Sequence, residues 1–560
     1  MDGLEVTVLL GLVVLISAVA SPRVQVAPPL LMVICGLVLG FVPALRRVQL
    51  PPEAMLLIFL PVLLFWESLT TSLRSIRRDL RGIVIMSTLL VVVTAFGVAG
   101  VAAALGMPWS AALVLGAAVA PPDATAAAAL GRTLPRRQFT LLKAESLTND
   151  GTALVLYAIA VSAASGTHYS VPDVTGLVLL SYLGGIASGL LIAALAYAVM
   201  SRLRDPIAIN ISLLVTPFTG YLVAELIGAS GVLAVVVAGL VLAYVSGRIS
   251  NAASRRQTES VWPLGSYLLN GALFVLIGLE THAVAHSLGL GHVARLLSLI
   301  VAVWVAMIVI RFVFTQLSVV LIRVLDRRPA QRARRMSYRA RVVGAMAGFR
   351  GAVSLAIALS VPTALADGGL FPARDDIVLV TAGVVVLTLL VQGPLLPGIV
   401  RWAHLGEDDA DADELRLAEQ EITATAVAAL PDLAAEHAVS EEVRQRLTSD
   451  YQEHLALVRA KRPHSNRSFD PAVEELEALL QGQDIVPGAQ REARVVQLDE
   501  YGPLTRNEEY TRLRLALLDR KRETLLRLRR EGTIDDAVSW RIQTRLDIEE
   551  LRLTGIEPFA

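Results

Sequence analysis

Residues 141–164 read LLKAESLTNDGTALVLYAIAVSAA, a polar stretch running without a break into an apolar one. On a helix Glu145 and Asn149 are four apart, as are Ser146 and Asp150, so two adjoining polar stripes share one face. A rise of about 1.5 Å per residue puts Asp150 roughly 7.5 Å further along the axis than Glu145. If the apolar run crosses a bilayer, a charge at that depth costs on the order of 3 kcal/mol, unless its face lines a cavity or the group is protonated. An interfacial position suits Glu145; it does not suit Asp150, which reads as a functional carboxylate inside a membrane helix.

The preceding apolar segment, LVLGAAVAPPDATAAAAL (113–130), is interrupted in its middle. Pro121 and Pro122 cannot donate backbone hydrogen bonds, so the carbonyls of Ala117 and Ala118 lose their helical partners. Open carbonyls at membrane depth must face protein, water or a cation. Asp123 follows at once, placed to cap a second half-helix; a proline kink with a structural cap is the plainer alternative. Glu145 needs a counter-ion to stay charged. Arg350, in AGFRGAVSLAIAL between small residues that permit close helix approach, is the preferred partner, and Arg311, in IVIRFVF, is its rival.

The rest of the chain agrees with a membrane setting. Of its 560 residues 54% are hydrophobic, the mean hydropathy is +0.59 and the net charge is zero, a profile that excludes a soluble enzyme and gives no basic footprint for nucleic acid. Its one cysteine, Cys35, excludes a disulfide framework or a cysteine metal site. A ruler of roughly 20 apolar residues per crossing finds about thirteen segments, centred near 5–20, 25–43, 53–69, 83–106, 111–129, 145–164, 174–200, 207–226, 229–246, 262–280, 291–323, 341–366 and 376–402. Asp2 and Glu5 stand where a signal peptide would be basic, so the first segment reads as retained. Arginine-rich loops such as LRSIRRDLR, GRTLPRRQ and DRRPAQRARRMSYRAR fall on one side, Arg46 and Arg47 being the exception. That side is expected to be the cytoplasm, with the N-terminus outside. At an offset of seven segments, FLPVLLFWESL in the third matches GALFVLIGLE in the tenth, and the broken fifth matches GFRGAVS in the twelfth. Because seven is odd, the matching helices run oppositely, the inverted-repeat plan of secondary transporters. The expected fold is all-α: a transmembrane domain over 1–404 with two inverted repeats and broken crossing helices, then a soluble helical cytoplasmic domain over 405–560.

PPDATAAAAL, AESLTNDGTALVLY, FVLIGLE and GFRGAVSLAIAL together resemble the monovalent cation/proton antiporters of the sodium/proton exchanger type, in the bacterial branch with an Asn-Asp pair. The resemblance covers all thirteen segments in order. It implies that Asp150 holds the cation or the proton, with Ser146, Glu145, Asn149, Asp123 and the carbonyl of Pro122 around it, and that Arg350 pairs with Glu145. Where relatives often carry Thr before the aspartate of the break, this chain has Pro122, which removes a hydroxyl ligand. Glu53 and Glu67 resemble acidic positions of some relatives, but near helix ends they read as solvent-facing.

The function implied is exchange of a monovalent cation for H⁺ without a cofactor: Na⁺ first, K⁺ or Li⁺ as alternatives. A neutral Asn149 beside one titrating carboxylate points to electroneutral 1:1 exchange. The expected setting is a bacterial plasma membrane, as a lipid-embedded homodimer. A cation channel, or a transport-derived sensor signalling through the tail, is the competing class, and a symporter for an organic solute is disfavoured by only 5% aromatic residues. The tail, opening at GEDDADADELRLAEQE, has helical leucine spacing among Glu and Arg and no phosphate-binding glycine loop. His437, His454 and His464 are too irregularly spaced for a metal site.

Overall fold

The structure is a computed structural model that describes residues 3–24, 26–42, 55–123, 134, 136–165, 170–285, 290–325, 337–364, 369–405, 410–460 and 502–555. Glu53, His464 and the second half of segment five lie outside this set.

Helices carry the fold, and no strand forms among the described residues. In the first half they are α1 (Gly3–Val24), α2 (Pro28–Leu39), α3 (Leu60–Leu69), α4 (Leu73–Val84), α5 (Val91–Ala104), α6 (Trp109–Val119) and α7 (Arg136–Ala164). The second half has α8 (Val171–Leu179), α9 (Gly185–Met200), α10 (Pro206–Leu226), α11 (Gly231–Ile249), α12 (Ala252–Ala285), α13 (Leu290–Leu325), α14 (Tyr338–Met346), α15 (Ala352–Leu359), α16 (Arg374–Leu387) and α17 (Gly393–Ala403). Single π-helical turns join α4 to α5, α8 to α9 and α16 to α17. Eight helices among the described residues are long and apolar enough to cross a membrane; four shorter apolar ones and the interrupted pair α14–α15 fill the remaining segments. Local chemistry sets several starts: the side chains of Ser170, Asp205, Ser230 and Ser337 accept from backbone N–H groups of the first turn, supplying partners that a helix end lacks.

The packing repeats at the offset read in the sequence. α2 lies along α12, and its counterpart α11 lies along α3; α1 meets α12 as α10 meets α3; α5 meets the first half of segment five, α6, as α13 meets the first half of segment twelve, α14; and segment five meets segment six, through α6 and α7, as segment twelve meets segment thirteen, through α15 and α16. Where α2 crosses α12, a Cβ at Gly36 would strike the carbonyl of Val275 and one at Gly278 the carbonyl of Val33. Only the missing side chains let these backbones touch. The two halves therefore build the same arrangement twice, and the two broken segments meet within it.

The chain divides into two compact units, Met1–Asp408 and Asp409–Ala560. The second contains α18 (Ala410–Glu436), α19 (Glu441–Ala460), α20 (Gly502–Glu531) and α21 (Asp536–Thr554). Leu513, Leu517, Leu518 and Leu525 of α20 are fully buried, the first two against α18 and α19, the other two against α18 and α21. Ion pairs rim this core: Arg514–Glu549 at 2.8 Å, Lys521–Glu549 at 3.5 Å and Arg522–Asp547 at 2.8 Å.

Candidate functional site: a carboxylate cavity at two broken helices

α6 stops at Val119, just ahead of Pro121 and Pro122, and the twelfth segment is interrupted from Ala347 to Gly351, between α14 and α15. The two breaks are bonded to each other. The backbone N–H of Asp123 donates to the carbonyl of Phe349 at 2.8 Å. Arg350 then takes up the open end of α6: its Nε donates to the carbonyl of Val119 at 2.7 Å and its Nη2 to that of Ala120 at 3.1 Å, while Nη1 donates to Gly348. A guanidinium at a helix C-terminus meets both the orphan carbonyls and the negative end of the dipole. Polar residues of the helix that follows hold each break from behind: Asn149 Nδ2 of α7 donates to the Pro122 carbonyl at 3.0 Å, and Gln392 Nε2 donates to that of Met346.

This geometry corrects the expected ion pair. Glu145 is not paired with Arg350; both of its oxygens accept from Arg311, from Nη1 at 2.6 Å and from Nη2 at 2.8 Å, and Arg311 Nε donates to the Gly344 carbonyl at 3.1 Å. The reason is steric and chemical together. Arg350 lies inside the break and its donors are used on three carbonyls, whereas Arg311 reaches Glu145 from α13 in the two-pronged geometry that suits a carboxylate. All three side chains are buried, and each has partners: Glu145 and Arg311 have each other, and Arg350 has three carbonyls. Glu145 is outside the cavity lining, its oxygens engaged with Arg311. Asn149, fully buried, also stands behind the lining and braces Pro122.

Asp150, Ser146, Pro122 and Asp123 do come together: they line one cavity between α7, the breaks, α3 and α12. Asp150 is 3% exposed and Asp123 7%. The carboxylate of Asp123 lies against Gly351 at the start of α15, where any Cβ would collide with it, so glycine there is what lets an acid approach the positive end of that half-helix. The Pro122 carbonyl keeps a second lone pair beyond the one engaged by Asn149.

Two lining residues were missed or misread from sequence. Glu67 of α3 is buried and faces this cavity rather than solvent. Its signal was available, since a carboxylate in FLPVLLFWESL stands on an apolar helix that must pack against something. Asn270 of α12 also lines the wall and makes no hydrogen bond among the described residues. A lone carboxamide in LLNGALF has no spacing partner to mark it.

What the arrangement provides is a largely apolar pocket into which three acids, Glu67, Asp123 and Asp150, and the hydroxyl residue Ser146 bring oxygen atoms beside a discontinuous backbone, the ligand type that a hard cation takes. The profile of the family described as sodium/hydrogen exchanger, transmembrane, matches residues 9–402. A Mycobacterium tuberculosis protein described as an uncharacterized Na⁺/H⁺ exchanger is 39% identical over 554 residues, 98% of this chain and 96% of that one. The low-affinity Na⁺/H⁺ antiporter NhaS1 of Synechocystis is 30% identical over 80% of this chain and 86% of its own. Among solved structures, a sodium proton antiporter from Methanocaldococcus jannaschii at pH 8 superposes with a TM-score of 0.53 at 17% identity, covering 72% of this chain and 99% of that one, a likeness of fold.

Proposed function

This chain belongs to the sodium/hydrogen exchanger family, and we propose that it exchanges one monovalent cation for one proton at Asp150. The observation that carries the reading is the burial of Asp150 in a cavity bounded by the meeting point of two broken helices. A carboxylate there is occupied either by a proton or by a dehydrated cation, and competition for it is the coupling. Ser146 and the free lone pair of the Pro122 carbonyl supply further oxygens to the cation. Glu145, engaged by Arg311, takes no part in the exchange. Asn149 contributes an amide, not a second acid. Asp150 with a proton and Asp150 with a monovalent cation carry the same net charge, so a cycle moves none.

Na⁺ is the first candidate substrate and K⁺ and Li⁺ are its competitors. The relatives named above are described as exchangers or antiporters, and nothing favours the channel or sensor reading. In our reading the membrane domain spans 1–404 with its N-terminus outside, residues 405–560 form a cytoplasmic helical domain, and the chain works as a homodimer in a bacterial plasma membrane.

The test is cation-dependent proton movement in everted membrane vesicles with Na⁺, K⁺ and Li⁺. Asp150→Asn is expected to abolish it for all three at unchanged protein level; exchange surviving in that variant would overturn the proposal. Imposing a membrane potential on proteoliposomes is expected to leave the wild-type rate unchanged.

A further inference from the structure

Lysine is rare in this chain, standing at 143, 461 and 521 against dozens of arginines, and Lys143 belongs to the membrane domain. Its position is not arbitrary. Lys143, Ser146 and Asp150 are spaced i, i+3, i+7 on α7, so they share the stripe that presents Ser146 and Asp150 to the cavity. At about 1.5 Å per residue, Lys143 stands about 10 Å along the axis from Asp150, towards the start of the helix. Its ammonium donates to Thr70 Oγ1 at 2.8 Å. Thr70 is the exposed residue that ends α3, three residues after the cavity-lining Glu67. The hydroxyls of Thr70 and Thr71 both donate to the Glu67 carbonyl, at 3.1 and 2.6 Å, so the ammonium is moored to the negative end of the same helix that presents Glu67. It thus bridges α7 and α3 about one turn along each helix from the cavity-lining Ser146 and Glu67.

We propose that Lys143 is a tethered resident cation at the mouth of the cavity, a specificity-determining residue that lowers the affinity of the site for alkali cations. A fixed positive charge there offsets part of the field of Glu67 and Asp150, and a cation approaching Asp150 from this side must pass it. Loss of the charge strengthens binding from this side; loss of the tether alone does not. The proposal rests on Asp150 being the exchange site, and it adds a sign that this reading does not contain.

The experiment compares wild type with Lys143→Gln, Lys143→Met, Lys143→Arg, Thr70→Val and Asp150→Asn in everted vesicles, titrating Na⁺, or whichever of K⁺ and Li⁺ drives exchange. The expected result is an apparent KM for the cation lowered about three- to tenfold in Lys143→Gln and Lys143→Met, with maximal rate within about twofold of wild type. Lys143→Arg and Thr70→Val stay close to the wild-type KM, because both keep the positive charge. Lys143→Met, apolar and of similar length, provides the answer if the Gln variant does not reach the membrane. An unchanged or raised KM in the neutral variants, or a fall in Thr70→Val equal to theirs, would overturn the proposal. Survival of exchange in Asp150→Asn would instead sink the assignment of the exchange site, a separate readout in the same experiment.

Discussion

Glu145 and Arg311 show how a charge survives inside a membrane domain: each is buried, and each is the other's two-point partner. Removing one member strands the other, which costs about 3–5 kcal/mol. Arg311→Ala is therefore expected to lower the thermal unfolding temperature in detergent sharply. Arg311→Met with Glu145→Leu should be markedly less harmful than either change alone, because no unpaired charge remains. Asn149 is a brace of a different kind. Its Nδ2 satisfies the Pro122 carbonyl, so Asn149→Asp sets an acceptor against an acceptor. The expected outcome is slow exchange together with reduced stability, measured as initial rate and unfolding temperature of the purified variant. Why Arg311 and not Arg350 pairs with Glu145 was not legible from spacing. Both arginines stand in apolar runs, and the choice turns on which guanidinium the orphan carbonyls of α6 consume.

At the scale of elements, the decisive feature is that each broken helix supplies what the other lacks. α6 ends on open carbonyls and receives Arg350 from the opposite break; α15 begins at Gly351 and receives the carboxylate of Asp123. Gly351→Ala puts a methyl group into that carboxylate. The outcome expected is a protein that still inserts and is extracted intact but whose exchange rate falls at least tenfold, read in the same vesicle assay. The sequence displayed the break in segment five plainly, because two adjacent prolines cannot continue a hydrogen-bonded helix. The break in segment twelve, made of glycines around an arginine, was visible only through its alignment with the first. Which carbonyls the guanidinium takes up was set by the crossing itself: those of Val119 and Ala120, at the very end of α6.

For the molecule as a whole, the question is whether the second unit senses pH. Its paired charges Glu549 and Lys521 are poorly suited to that. Burial would raise the Glu549 carboxyl, but Lys521 and Arg514 outweigh it and hold the group below its ordinary 4.5. Burial would lower the Lys521 ammonium, but Tyr451 and Glu549 hold it above its ordinary 10.5. A depressed carboxyl stabilises the fold above its unfolded pKa and loses that contribution as pH falls through the folded value; a raised amine stabilises below its unfolded pKa and loses that as pH rises through the folded one. Between about pH 5 and pH 10 the cluster therefore keeps its charges and its contribution. Glu549→Gln is expected to destabilise the second unit by about 1–3 kcal/mol, equally at pH 6 and pH 8, seen as faster limited proteolysis of residues 409–560. Deleting 410–560 is expected to leave the pH profile of exchange in place, since the titrating carboxylate belongs to the membrane domain; a profile moved by a full unit would assign sensing to the tail.

By itself the sequence determined that this chain crosses a membrane many times, that it is built twice over, and that Asp150 is a buried acid. Hydrophobic length, helical spacing and proline chemistry are local properties, and they act wherever the chain goes. Only the tertiary structure decided the partners: Arg311 for Glu145, Arg350 for the end of α6, Glu67 turned inward to the cavity, Thr70 for Lys143. Those choices depend on which helices meet, and a contact between residues far apart in the chain has no periodicity that a linear reading can detect.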